Sequence, residues 1–249
     1  LGDVYKRQAP SGANIDPKSP EAGIAYLQSQ GIEINNAQCV HRVQERFAGS
    51  DAERLNELNG LAAIDPKNVV IAMRGGYGIH RLLPEIKWNA IAKAVKDGLQ
   101  ICGHSDFTAF ELGLLAKTGA MTLSGPMLNY DFGRFDENGG ALSPDPFMWK
   151  YFLSAIQDRK LDCQIKAPQP FLAEARAGSV SGLLWGGNLT VISSLVGTSY
   201  LPSSAQTKGG ILFLEDVNEH PYRLERMMMQ LVNAEILQNQ SAILLGGFS

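Results

Sequence analysis

A serine at the bend between a short apolar strand and a helix is placed to act as a nucleophile. Residues 99–109 read Leu-Gln-Ile-Cys-Gly-His-Ser-Asp-Phe-Thr-Ala. The strand runs into Gly103, a polar turn carries Ser105, and a helix follows. A hydroxyl there projects from the sheet edge, and the free N–H groups and dipole of the helix N-terminus favour negative charge beside it. A nucleophile whose reaction passes through an oxyanion needs both. The segment has the layout of a nucleophile elbow without its Gly-x-Ser-x-Gly sequence, because Asp106 and Phe107 follow the serine. The other reading of the same serine is a helix N-cap.

Two further segments carry chemistry. The apolar run Asn68–Met73 predicts a strand buried on both faces and ends in Arg74-Gly75-Gly76-Tyr77-Gly78. Glycines at the carboxyl end of a buried parallel strand let backbone approach a ligand closely. The spacing fits neither Gly-x-Gly-x-x-Gly nor a P-loop, which argues against nucleotide binding. Downstream, the strand Ile211–Leu214 delivers Glu215 and Asp216 at its end, and Pro221 opens a helix expected to run to about Glu235. Paired carboxylates at a strand end are costly to bury unless used or satisfied. One of them could orient a catalytic histidine, or the pair could serve as cap and first-turn acid.

Taken in order, Arg74-Gly-Gly-Tyr-Gly78 with Arg81-Leu-Leu83, Gly103-His-Ser-Asp-Phe-Thr-Ala109, Ser124-Gly-Pro-Met127, Leu184-Trp-Gly-Gly-Asn-Leu189 and Leu214-Glu-Asp-Val-Asn-Glu-His-Pro221 resemble the LD-carboxypeptidases, which are serine peptidases. The likeness runs from about Ala9 to Ser249. It implies Ser105 as nucleophile, Glu215 as the acid of a Ser-Glu-His triad, and the N–H groups of Gly76 and Asp106 as the oxyanion hole. Trp185 and Asn188 are implied near the substrate, with Arg74 and Tyr77 as further contacts. Arg74, Arg81 or another basic group would hold a terminal carboxylate, since arginine binds carboxylates bidentately. The implied reaction is acyl transfer to Ser105 and release of D-Ala from a murein tetrapeptide, cut after meso-diaminopimelate, in cytoplasmic peptidoglycan recycling. No metal or organic cofactor is implied, and a homodimer is. Two alternatives stand beside it: a related peptidase acting on peptide–nucleotide antibiotics, and a non-catalytic binding module.

The second alternative arises because the family's catalytic histidine lies downstream of the Glu-Asp motif. None of His41, His80, His104 and His220 matches it. The chain is therefore expected to be cut short at both ends, to lack its base and to be at most feebly active. Residues 1–8 are expected to be a non-native leader, standing where a first strand should begin.

The chain has 249 residues, 45% of them hydrophobic, enough for two domains with cores of their own. A net charge of −3 gives no broad basic surface, so nucleic acid is not an expected partner. No apolar run approaches the roughly 18 residues of a membrane span. Cys39, Cys102 and Cys163 show neither disulfide nor zinc spacing, and Cys102 is expected to pack in the strand before Ser105. The elements that must hold the site alternate. Helices are predicted from Ser19-Pro20 to Gln30, from the capping box Ser50-Asp-Ala-Glu53 with Ala52, Leu55, Leu58 and Ala62 inward, over 88–96, and over 106–117. Strands are predicted at 32–34, 69–73, 99–102 and 121–123. Alternation of this kind predicts an α/β fold, a parallel sheet flanked by helices. This nucleophile domain is expected over 9–165, with an aromatic helix 147–156 and a boundary at Pro168-Gln-Pro170. A β-rich second domain over 171–249, incomplete here, is expected to hold strands 180–184 and 211–214 and a helix 188–196.

Overall fold

The computed structural model describes residues 4–14, 16, 18–166 and 178–249. The first layer system contains β1 (Val4–Gln8), α1 (Lys18–Ser29), β2 (Glu33–Asn35), α2 (Asp51–Gly60), β3 (Val69–Ala72), α3 (Trp88–Asp97), β4 (Gln100–Gly103), α4 (Thr108–Thr118) and β5 (Leu123–Ser124). The five strands are parallel, in the order β2-β1-β3-β4-β5. The growth direction of the sheet reverses between β1 and β3, and the carboxyl ends of strands at such a reversal open a crevice. Val4–Gln8, in the place where a first strand is expected, is the strand between β2 and β3, with Tyr5 opposite Ile34 on one side and Val69 on the other. Ladder pairing asks only for extended backbone, so a segment without an apolar core can take that place.

Side-chain alternation along β3 divides the core. Val69, Ile71 and Met73 face one way, into a cluster with Leu27, Cys102, Phe132 and Phe152. Val70 and Ala72 face the other, with Leu58, Ile101, Phe107 and Phe110. The predicted capping box opens α2: the Ser50 side chain accepts from Glu53 N–H, and the Glu53 carboxylate accepts from Ser50 N–H. The buried stripe of α2 differs from the expected one. Ala52 is exposed, Leu55 is half-buried, and Arg54 and Leu58 point inward. Apolar spacing could not reveal an arginine whose charge is met inside the fold.

After the hairpin of β6 (Arg134–Phe135) and β7 (Ala141–Leu142) comes α5 (Pro146–Asp158). The proposed boundary at Pro168–Pro170 lies outside the described residues. A second parallel sheet follows, with β8 (Leu184–Asn188), α6 (Leu189–Leu195), β9 (Ile211–Asp216), α7 (Pro221–Asn233) and β10 (Ala242–Phe248). Its order is β10-β9-β8. The fold is thus α/β, with parallel sheets flanked by helices. Two strands lie later than expected: the one expected at 121–123 is β5 at 123–124, and the one expected at 180–184 is β8 at 184–188. Gly186 and Gly187 argue locally against a strand. The sheet requires them, because a Cβ on Gly186 would fall 2.0 Å from Phe213 O.

One hydrophobic cluster runs from Leu58 and Val70 through Phe110 to Leu189, Leu212 and Leu231, so the two sheets share a core. Cys39 and Cys102 are buried and Cys163 is half-buried, none of them in a disulfide. Among the described residues no helix is long and apolar enough to cross a membrane.

Candidate active site

The carboxyl ends of both sheets face one cavity of about 740 Å³. From the first sheet come the turn after β3 and the turn after β4. From the second come Asn188 at the end of β8 and Glu215 at the end of β9.

Ser105 stands at φ 60°, a left-handed conformation that a non-glycine residue adopts only when its surroundings impose it. His104 before it is extended, and Ser105–Phe107 form one tight turn leading into α4. This is the strained strand-to-helix bend of an elbow, which lifts the hydroxyl off the sheet. Gly75 lies directly against it. A Cβ there would sit 2.6 Å from Ser105 Oγ and 3.3 Å from Asp106 N, so only glycine fits. Gly76 and Asp106, the two expected oxyanion donors, both line the cavity.

The paired carboxylates part company in their surroundings. Asp216 is saturated: it accepts from Asn188 Nδ2 at 3.1 Å, from Thr190 N and Oγ1 at 2.8 Å each, and from Val217 N at 2.9 Å. It locks the second wall. Glu215 keeps Oε1 buried with no hydrogen-bond partner among the described residues. Burial pushes its carboxyl above the ordinary range, the Asn188 amide and His104 pull it down, and Asp216 beside it pushes it up. An acceptor oxygen held this way suits an imidazole N–H.

Asn188 reaches the cavity through its own network. Its side-chain oxygen caps α6 by accepting from Val191 N, and its N–H donates to Thr108 Oγ1 at 3.2 Å, tying the second sheet to α4. Trp185 does not reach the cavity; it is buried and donates from Nε1 to Gln240 at 2.9 Å. Of the two candidate arginines, Arg74 lines the cavity. Its Nη1 donates to Ala13 O at 2.7 Å, and its guanidinium lies 5.8 Å from the Tyr130 ring centre. Arg81 is turned away, paired with Asp51 at 2.7 Å. Tyr77 lines the cavity and is partly exposed.

His80 and His104 line the cavity, but each of them is held by another partner. His104 Nδ1 is 2.9 Å from Gly125 O, and a carbonyl only accepts, so that nitrogen carries a proton. His80 Nε2 meets Ser194 Oγ at 2.7 Å across the two halves of the cavity. His220 stacks on Tyr222, and His41 is exposed in a 3₁₀ turn. Among the described residues none is hydrogen-bonded to Ser105 or Glu215. Sequence reasoning missed Tyr130, Thr190, Ser194 and Glu219 as cavity residues. The Ser124–Met127 motif marked the approach to Tyr130; the others carry no local signal.

Residues 8–125 match the family model of the LD-carboxypeptidase N-terminal domain, and residues 181–249 match that of the LD-carboxypeptidase C-terminal domain. The chain belongs to the LD-carboxypeptidase family. It is 29% identical over 247 residues to a probable murein peptide carboxypeptidase of Bacillus subtilis, covering 99% of this chain and 72% of that protein. The crystal structure of a muramoyltetrapeptide carboxypeptidase from Oxalobacter formigenes superposes with a TM-score of 0.80 at 36% identity, covering 99% of this chain and 77% of that one. The microcin C7 self-immunity protein of Escherichia coli is 27% identical over 241 residues, covering 90% of this chain and 69% of that protein.

Proposed function

We propose that this LD-carboxypeptidase is a serine enzyme that removes the terminal D-Ala from murein tetrapeptide, cutting the bond after meso-diaminopimelate in cytoplasmic peptidoglycan recycling. The observation that carries the reading is the strained Ser105, held against Gly75 in a cavity whose opposite wall presents Glu215.

Ser105 Oγ adds to the scissile carbonyl carbon as its proton passes to a base. The tetrahedral oxyanion is held by the N–H groups of Gly76 and Asp106. The C–N bond then breaks, D-Ala takes the proton and leaves, and water hydrolyses the ester on Ser105. Arg74 holds the carboxylate of the departing residue. Glu215 orients the imidazole that takes the proton and stabilises the imidazolium it becomes; none of the four histidines here is assigned that part, because none is hydrogen-bonded to Ser105 or Glu215. The murein-acting names among the relatives support this substrate, and the microcin C7 relative supports a peptide–nucleotide as the rival. Acyl transfer on Ser105 is common to both.

The test follows D-Ala release from murein tetrapeptide, beside cleavage of a peptidyl nucleotide, for the protein and for Ser105→Ala. Serine-dependent D-Ala release is the expected result, slow where no histidine is assigned as base. Turnover of the nucleotide substrate alone transfers the reading to its rival. Tight tetrapeptide binding without turnover makes the chain a binding module.

A further inference from the structure

The two expected oxyanion donors sit on different turns, one after β3 and one after β4. Their spacing depends on whatever joins those turns. Beneath them lies Arg54 of α2, wholly buried and the largest side chain among the described residues to be so. A buried guanidinium is costly unless its donors and its charge are met. Nη1 donates to Pro10 O at 2.7 Å, Nη2 donates to the Asp51 carboxylate, and the guanidinium lies 4.7 Å from the Phe47 ring centre, while the buried Nε has no hydrogen-bond partner among the described residues. Pro10 opens the loop after β1, and that loop returns to the Gly-rich turn, where Gly12 N–H donates to Gly75 O at 3.2 Å.

The far end of the same turn rests on the same arginine. A Cβ on Gly78 would fall 2.6 Å from Arg54 Nη1 and 2.9 Å from Phe47 Cδ1, and Gly78 stands at φ 142°. The next residue, Ile79, donates its N–H to Asp106 Oδ2 at 3.2 Å. Asp106 is 3% exposed, and its backbone N–H is the donor after the nucleophile. One residue thus carries an oxyanion donor on its backbone and, on its side chain, the tie to the turn bearing the other.

We propose that Arg54 and the Asp106 carboxylate form a buried brace that fixes the separation of the Gly76 and Asp106 N–H groups. Both are positioning residues in this role, since Arg54 touches neither the cavity nor Ser105. Burial pushes the Asp106 carboxyl up; the Ser11 hydroxyl, the Ile79 N–H and then the charges of His80 and Arg54 pull it down. Arg54 pairs directly with the partly exposed Asp51 and acts on the Asp106 carboxylate through its charge alone; what the two supply together is geometry.

The inference rests on Ser105 as nucleophile, and the experiment separates the two. Arg54→Met, Arg54→Lys, Asp106→Asn and Ser105→Ala are compared for kcat and KM on murein tetrapeptide. Their affinity is measured for a peptide boronic acid whose boron stands in place of the scissile carbonyl carbon. The boronate's tetrahedral adduct needs Ser105 and the two donors; substrate binding does not need the donors at full strength. Arg54→Met and Asp106→Asn are expected to lower kcat about tenfold or more with KM within about threefold, and to weaken the boronate by a matching factor. Arg54→Lys recovers part of each loss. Folded variants with parental kcat and boronate affinity, beside a Ser105→Ala that loses both, overturn the brace and leave the nucleophile standing. A Ser105→Ala protein that still binds the boronate like the parent overturns the nucleophile, and the brace with it. Should Arg54→Met fail to fold, Asp106→Asn decides, because it removes the carboxylate charge that faces Arg54 and turns one of its oxygens into an N–H donor, while the Asp106 backbone N–H stays in place.

Discussion

Ser105 pays for its position in backbone strain, and that strain is measurable apart from chemistry. Ser105→Ala is expected to lower kcat/KM by at least about 10³-fold, since an acyl enzyme cannot form without the hydroxyl. Ser105→Gly is equally inactive but more stable than Ser105→Ala by roughly 1 kcal/mol, because glycine adopts φ near +60° without the Cβ penalty. Urea midpoints of the two variants check this; equal midpoints would mean that the turn is unstrained. Glu215→Gln acts in the transition state and should reduce kcat far more than it changes KM; the corresponding change in a Ser-His-Asp triad costs about 10⁴ in kcat. An effect confined to KM would make Glu215 a substrate ligand. Arg74→Gln should do the reverse and raise KM about 10–100-fold, the worth of charge-assisted hydrogen bonds to a carboxylate, with kcat little changed. Ser105 and Glu215 were legible because strand, turn and charge follow one another in the chain. The choice of Arg74 over Arg81 was not. It depends on Asp51, which captures Arg81 from a distant helix.

Helix α4 holds a second consequence of burial. Glu111 on its inner face is buried with neither carboxylate oxygen hydrogen-bonded among the described residues, and burial pushes its carboxyl well above the ordinary range. The folded protein therefore keeps a proton at Glu111 that the unfolded chain has lost. Stability contributed by that proton is full below the ordinary glutamate value and falls as pH rises toward the folded one. Glu111→Gln cannot ionise. The stability of this variant relative to the parent should rise from pH 5 to pH 8, by about 1.4 kcal/mol for each unit of pKa elevation titrated in that range. Denaturant midpoints at three pH values test it, and a difference independent of pH would refute it. Elements like α4 were readable from the sequence wherever period and punctuation agreed: the capping box before α2, the buried run of β3, the Pro-opened α7. They failed where tertiary contact overrode local preference. β8 carries two glycines because its neighbour leaves no room for a Cβ, and α2 turns an arginine inward because Pro10, Asp51 and Phe47 await it.

The whole chain has parallel sheets whose carboxyl ends meet, and their shared core binds the N-terminal and C-terminal family segments into one body. Leu189, Ile192 and Leu212 pack in the same cluster as Phe107 and Phe110 under the Ser105 turn. Loss of either half exposes the other, so thermal unfolding is expected to be a single transition. Coincident far-UV and near-UV melts would bear this out; separate midpoints would mean two independent domains. The thiols extend the same point to time. Cys39 and Cys102 lie in the cluster beneath the first sheet, whereas Cys163 is half-buried on the chain beyond α5. A thiol reagent should therefore label Cys163 at once and the other two only as fast as that cluster opens. The slow phase is then a clock for breathing beneath the strand that leads into Ser105, read from the native protein without a denaturant.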